Sequence, residues 1–322
     1  MAIDALVSKK AGALALIAAT GLSLTSIPAG ARPAAPTARQ PAAAAHRLPG
    51  GLSALAWMVA DADTGKVLAS HNPHRRLAPA STLKTLFAVT VLPKFPAGHV
   101  RQVSAADLAG LGPGSSVVGV RQGRRYTVAD LWRGVFLRSG NDAVHVLASM
   151  NGGWSATARE MQQTARRLGA RDTTVKSPDG YDAPGQVSSA FDLTVFARAG
   201  LTNADFARYC ATPRAAFPAA GGATVQIENT NRMLVGSHGL PRYPGIIGVK
   251  NGYTSKAGNT LVAAARRNGH TLIATVLNPQ SGEANGVYKE AGALLDWGFN
   301  DVGRGEAVGG AGRPMRSVRS GA

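Results

Sequence analysis

The chain of 322 residues predicts a mixed α+β fold, an antiparallel sheet covered by helices with a mostly helical subdomain. Three observations lead there. Strand-like apolar segments stand near both ends of the patterned region. Helix-period segments fill its middle, and hairpin turn chemistry joins neighbouring strands.

The first strand is expected over 54–60. Asp61-Ala62-Asp63-Thr64-Gly65 supplies the turn and 66–69 resumes the strand. Pro79-Ala80-Ser81 then opens a run rich in Leu, Phe and Val that stops at Pro93, the pattern of a helix starting near Ser81. Apolar residues nearly surround that helix, so it should be central and buried. Thr127 with Asp130 resembles a capping box, and Val128, Trp132 and Phe136 share one helical face. That helix should end near Arg138. Ser139-Gly140-Asn141-Asp142 interrupts the pattern before a helix over 143–150, and a further helix is expected over 156–168. Strands are expected at 245–250, 259–266 and 271–277, the last two joined by Asn268-Gly269, a strong hairpin signal. A final helix follows over about 283–297, and no internal repeat is visible.

The ends read differently. Lys9 and Lys10 precede an uncharged apolar run over 11–24 and then Pro28-Ala29-Gly30-Ala31, the order of a secretory signal expected to span 1–31. The run is short for a membrane span. Residues 32–46 are Ala and Pro with scattered basic residues, a composition expected of a linker. Residues 303–322 form a Gly/Arg tail of the same kind, expected to be disordered. One folded unit over 47–302 remains, and no membrane anchor is expected at the C-terminus. Cys210 is the single cysteine, so stability must come from the core and not from an intramolecular disulfide. A net charge of +17 suits a polyanionic neighbour such as a wall polymer. The basic residues form no stripe with interleaved aromatics, which, with export, argues against nucleic acid.

Three short motifs could carry chemistry. Ser81-Thr82-Leu83-Lys84 sets a hydroxyl and an amine on one helical face, because residues i and i+3 are neighbours there. A lysine acts as a base only when neutral, a state that burial and a second cation favour. Alone the motif is weak, since a capping serine followed by a surface lysine would look the same. Ser139-Gly140-Asn141 puts a hydroxyl and an amide on the inter-helix turn, whereas Ser70-His71-Asn72 and Ser149-Met150-Asn151 fall within regular elements. Lys250-Asn251-Gly252 ends an apolar strand before Tyr253-Thr254, where a glycine allows a ligand close to the backbone. A plain turn between strands explains this third motif equally well on its own.

Together, in this order, the motifs resemble the Ser-x-x-Lys, Ser-x-Asn and Lys-Thr-Gly set of penicillin-binding proteins and serine β-lactamases. Ala62-Asp63-Thr64-Gly65-Lys66-Val67-Leu68, Pro79-Ala80-Ser81-Thr82-Leu83-Lys84, Ser139-Gly140-Asn141-Asp142-Ala143, Ser188-Ser189-Ala190-Phe191-Asp192-Leu193 and Gly248-Val249-Lys250-Asn251-Gly252-Tyr253-Thr254 are similar to blocks of the low-molecular-mass D-alanyl-D-alanine carboxypeptidases. The resemblance spans residues 54–299 and implies the β-lactamase/penicillin-binding-protein fold. It implies Ser81 as nucleophile, Lys84 as its base, Ser139 as the proton relay to the leaving group, and Asn141 as a holder of Lys84 and the substrate amide. Lys250, Asn251, Gly252, Tyr253 and Thr254 would bind substrate, with the N–H groups of Ser81 and Tyr253 as the oxyanion hole. The implied partners are a peptidoglycan stem peptide ending in D-Ala-D-Ala and, as inhibitors, β-lactams; no cofactor or metal is implied.

Two departures stand out. Asn251 replaces the family's threonine or serine, and Gly286-Val287-Tyr288 lacks the arginine that many relatives carry before the last helix. The β-rich domain and amphipathic anchor of many relatives are not expected here either. A class A β-lactamase would need a glutamate between the second and third motifs, where only Glu160 and Glu228 stand. A non-catalytic wall-binding protein of the same fold is the rival from another class. Metal catalysis is the weakest reading, because His71 and His74 lack a carboxylate at ligand spacing.

Overall fold

A computed structural model describes residues 47–302; the expected signal segment, linker and basic tail lie outside the described residues. In chain order the elements are β1 (Ala54–Asp61), β2 (Val67–His71), a 3₁₀ turn (Ala80–Leu83), α1 (Lys84–Val91), β3 (Val100–Gln102), β4 (Arg125–Thr127), α2 (Val128–Arg138), α3 (Asn141–Met150) and α4 (Trp154–Arg167). There follow α5 (Ala190–Leu201), α6 (Ala204–Cys210), β5 (Arg214–Pro218), β6 (Thr224–Glu228), α7 (Arg232–Val235), β7 (Ile246–Thr254), β8 (Gly258–Arg267), β9 (His270–Pro279) and α8 (Gly286–Val302).

The main sheet is five-stranded and antiparallel in the order β2-β1-β9-β8-β7, so the last strand in sequence before α8 pairs with the first, Trp57 opposite Val276. Successive residues of a strand point to opposite faces. Met58, Val262 and Ile273 accordingly enter a core shared with α1, α2, α3 and α5, while Val59, Leu261 and Leu272 enter a second core beneath α8. Both faces are covered, which is why these strands read as continuous apolar runs and not as alternating ones.

The expected helix at Ser81 is correct in place and different in kind. Ser81 lies in the 3₁₀ turn, and α-helix begins only at Lys84. In a 3₁₀ turn residues i and i+3 eclipse, which aligns Ser81 and Lys84 more closely than an α-helix would. Helix α1 is buried at every residue except Val89, as its all-round apolar pattern requires. Pro93 does not end the segment, which passes into another 3₁₀ turn over Leu92–Lys94.

The Thr127–Asp130 capping box is present at the start of α2. Helix α3 begins two positions earlier than the pattern suggested, so Asn141 is in its first turn. The larger difference is at β7. The strand continues through Lys250 to Thr254, so the third motif lies within an edge strand and not in a turn. Helices α5 and α6 and the β5–β6 hairpin were not visible as sequence patterns.

Candidate active site

The site is assembled where the Ser81 turn abuts β7. Thr260 Oγ1 of β8 donates to the Pro79 carbonyl at 3.0 Å, tying the turn to the sheet. A Cβ at Gly252 would lie 2.7 Å from the Ser81 nitrogen, so only glycine lets the strand pass this close to the nucleophile's amide. From the other side Gly180, at φ +81°, packs where a Cβ would collide with the Ala80 carbonyl. Ala80 itself is held at φ +49° between them.

Lys84 Nζ donates to Ser81 Oγ at 2.8 Å and to the Asp179 carbonyl at 2.7 Å. Lys84 and Lys250 are each only 1% exposed. Burial lowers the pKa of Lys84 to about 8, against the opposing pull of the Asp179 and Asp142 carboxylates. Lys250 is pushed well below the usual lysine range, first by burial and then by the charge on Lys84. Two ammonium ions so close in a dry site repel each other's protons, so the pair favours a state with one amine neutral. Lys250 Nζ is held by the Asn251 carbonyl at 2.8 Å.

The second motif is held by its own backbone. Ser139 ends α2 in the left-handed region at φ 57°, and Asn141 N–H donates to the Ser116 carbonyl at 2.7 Å. The Asp142 carboxylate accepts from Val118 N–H at 3.0 Å and from Gly119 and Val120 N–H at 2.8 Å each, fastening the preceding loop to the turn. Ser139 Oγ and Asn141 Oδ1 are buried with no hydrogen-bond partner among the described residues. Buried polar atoms are normally paired, and groups left without partners suit contact with a ligand.

The remaining third-motif residues divide. The Asn251 Oδ1 accepts from Thr230 Oγ1 at 3.0 Å. Its amide oxygen is therefore occupied, which leaves the amide N–H groups as the part of the side chain able to meet a substrate. Thr254 Oγ1 donates to Asp182 at 2.8 Å and accepts from Ala257 N–H at 3.1 Å, which joins β7 to the segment carrying Asp179. Tyr253 projects outward and is 68% exposed. Because β7 is an edge strand, alternate N–H and C=O groups along it face away from β8 and into the cleft.

Asp179, Gly180 and Thr230 were not singled out in the sequence, and Asp142 stood there only as part of the second motif's block. The dipeptide Asp179-Gly180 after Pro178 is turn chemistry, but nothing local says that its carbonyl reaches Lys84. Glu160, the candidate water activator of a β-lactamase, lies on α4 paired with Lys94 and accepting from Asn151 at 2.8 Å. Glu228 is engaged by Arg214. Among the described residues no cluster of His, Cys, Asp and Glu could hold a metal ion, and no helix is long and apolar enough to cross a membrane.

A sequence profile for D-alanyl-D-alanine carboxypeptidases matches residues 41–281. The D-alanyl-D-alanine carboxypeptidase DacB2 of Mycobacterium tuberculosis is 39% identical over 246 residues, covering 76% of this chain and 81% of that one. DacF of Bacillus subtilis is 28% identical over 74% of this chain, which spans only 60% of that longer relative. Among solved structures, a D-alanyl-D-alanine carboxypeptidase of M. tuberculosis superposes with a TM-score of 0.72 at 38% identity, over 80% of this chain and 95% of that one. Penicillin-binding protein 6B of Escherichia coli gives 0.69 at 31% identity, over 79% and 80% of the two chains. A variant of the Streptomyces K15 DD-transpeptidase gives 0.71 at 26%, over 78% of this chain and all of that one.

Proposed function

The chain belongs to the D-alanyl-D-alanine carboxypeptidase family, and on that premise we propose that it removes the terminal D-alanine from peptidoglycan stem peptides through an acyl-enzyme on Ser81. The observation that carries this reading is the buried Lys84 Nζ, 2.8 Å from Ser81 Oγ and with its pKa lowered to about 8. Ser81 Oγ attacks the carbonyl carbon of the D-Ala-D-Ala amide while Lys84 Nζ takes the hydroxyl proton. Charge develops on the carbonyl oxygen, and the N–H groups of Ser81 and Tyr253 receive it, where one donor is worth about 10²–10³ in rate. The C–N bond then breaks as Lys84 returns its proton through Ser139 to the departing D-alanine nitrogen, which leaves Lys84 neutral again. Water attacks the ester carbonyl, Lys84 takes its proton, and Ser81 regains a hydrogen. Lys250 attracts the substrate's terminal carboxylate, and that anion favours the proton on Lys250 over Lys84.

The charge order of 1–31 supports export, residues 47–302 form the catalytic domain, and a net charge of +17 suits a setting among anionic wall polymers. β-Lactams are proposed as inhibitors. A β-lactam acylates Ser81 by opening its ring, but its amine stays tethered and obstructs the water that would cleave the ester. The engagement of Glu160 and Glu228 elsewhere supports slow hydrolysis. Intact-protein mass spectrometry after removal of free penicillin is expected to find an adduct lasting minutes or longer. Loss of the adduct within seconds, with steady formation of opened penicillin, would mean a β-lactamase.

A further inference from the structure

Beyond the third motif lies a cavity of about 540 Å³, bordered by Asn251 and Tyr253 of β7, Arg138 at the end of α2, Arg232 of α7 and Tyr288 of α8. Its charges are unevenly satisfied. The two carboxylates on its wall already have cations: Glu228 pairs with Arg214 at 2.5 Å and Glu283 with Lys289 at 2.8 Å. Neither Arg138 nor Arg232 has a carboxylate within ion-pair distance among the described residues. The cavity therefore carries two guanidinium groups that no carboxylate pairs among the described residues, an arrangement that favours an anionic ligand.

Of the two, Arg232 is fixed in place. Its Nη1 donates to Asn285 Oδ1, and its guanidinium carbon lies 5.7 Å from the centre of the Tyr288 ring. Asn285 is itself oriented, because its Nδ2 donates to the His238 carbonyl at 2.8 Å and leaves the oxygen for Arg232. Tyr288 continues the chain of contacts to the motif: its hydroxyl donates to the Thr230 carbonyl at 3.3 Å, and Thr230 Oγ1 holds Asn251 Oδ1. Arg138 is exposed and makes no comparable contact. Helix α8 lines the cavity with Val287 and Tyr288, and its Lys289 is taken up by Glu283.

We propose that Arg232 is a specificity-determining residue that receives the C-terminal carboxylate of the peptide substrate from α7. This rests on the carboxypeptidase reading above. A guanidinium presents paired N–H donors that match a carboxylate, and the Nη1 bond to Asn285 leaves its other donors available. Lys250 supplies a point charge near the reacting centre, and Arg232 adds the orienting contact at the far end of the leaving residue.

The test uses two peptides ending in D-Ala-D-Ala, one with a free carboxylate and one amidated, with Arg232→Gln, Arg232→Lys and Arg138→Gln. Arg232→Gln is expected to lower kcat/KM for the free acid about 10- to 100-fold, chiefly through KM, and to change the amide by less than about twofold. Arg232→Lys should recover part of the loss, and Arg138→Gln should show a smaller effect. The ratio of the two substrates within one preparation does not depend on the fraction folded. Binding of both peptides to Ser81→Ala, with and without Arg232→Gln, reads the same contrast without turnover. Equal losses on both peptides, or none on the acid, would overturn the role of Arg232 while leaving Ser81 acylation intact. Failure of the carboxypeptidase reading would appear instead as no release of D-alanine by the wild-type protein.

Discussion

Replacing Ser81 by alanine is expected to abolish both covalent labelling by penicillin and release of D-alanine, a loss of roughly 10⁴–10⁶-fold in turnover. The oxygen removed is the atom that forms the ester, so no neighbouring group can substitute for it. Thr82 is the adjacent hydroxyl, and it is committed to the Pro79 carbonyl. The fold should survive. Lys84 Nζ keeps the Asp179 carbonyl as partner, and the change leaves no cavity of consequence. An unchanged melting temperature alongside total loss of label is the expected pair of results; label on the folded variant would mean that another residue is the nucleophile.

The second large effect concerns the base. Lys84→Met retains most of the buried volume and removes the amine, and acylation by peptide and penicillin alike is expected to slow by about 10²–10⁴-fold. The pH dependence separates loss of a base from structural damage. Only the neutral amine accepts the Ser81 proton, and the pKa of Lys84 is lowered to about 8. The wild-type acylation rate should therefore rise with pH and level off above about 8, whereas the residual rate of Lys84→Met should not show this step. A rise at the same pH in Lys84→Met would assign the titration to another group. The variant leaves the Asp179 carbonyl without its ammonium partner, so a stability cost of about 1–3 kcal/mol is expected as well.

What was legible in the sequence was local. The Thr127–Asp130 cap, the Asn268-Gly269 turn and the all-round apolar α1 depend on residues within a few positions of one another, and each stands where it was expected. The three motifs could be named because their chemistry is carried by residue type and order. Their geometry could not be. Asn251-Gly252 has turn composition, yet it lies inside β7, because Gly252 is required for the strand to pass the Ser81 amide. Ser81 sits in a 3₁₀ turn at a left-handed Ala80 because Gly180 and β7 press on it from opposite sides, partners about 100 and 170 positions away in the chain. Helices α5 and α6 carry caps at Ser189 and Asn203, but short apolar segments with little periodicity hid them. Arg232 belongs to no motif. Its relevance comes from the cavity wall and from the carboxylates there being already paired.

The carboxypeptidase reading is tested most directly by mass analysis of a synthetic stem pentapeptide ending in D-Ala-D-Ala, incubated in parallel with the wild-type protein and Ser81→Ala. The wild type is expected to yield the tetrapeptide and one equivalent of free D-alanine, with the peptide untouched by Ser81→Ala. An intact peptide in the presence of wild-type protein that opens penicillin catalytically, or equal cleavage by the two proteins, would contradict it.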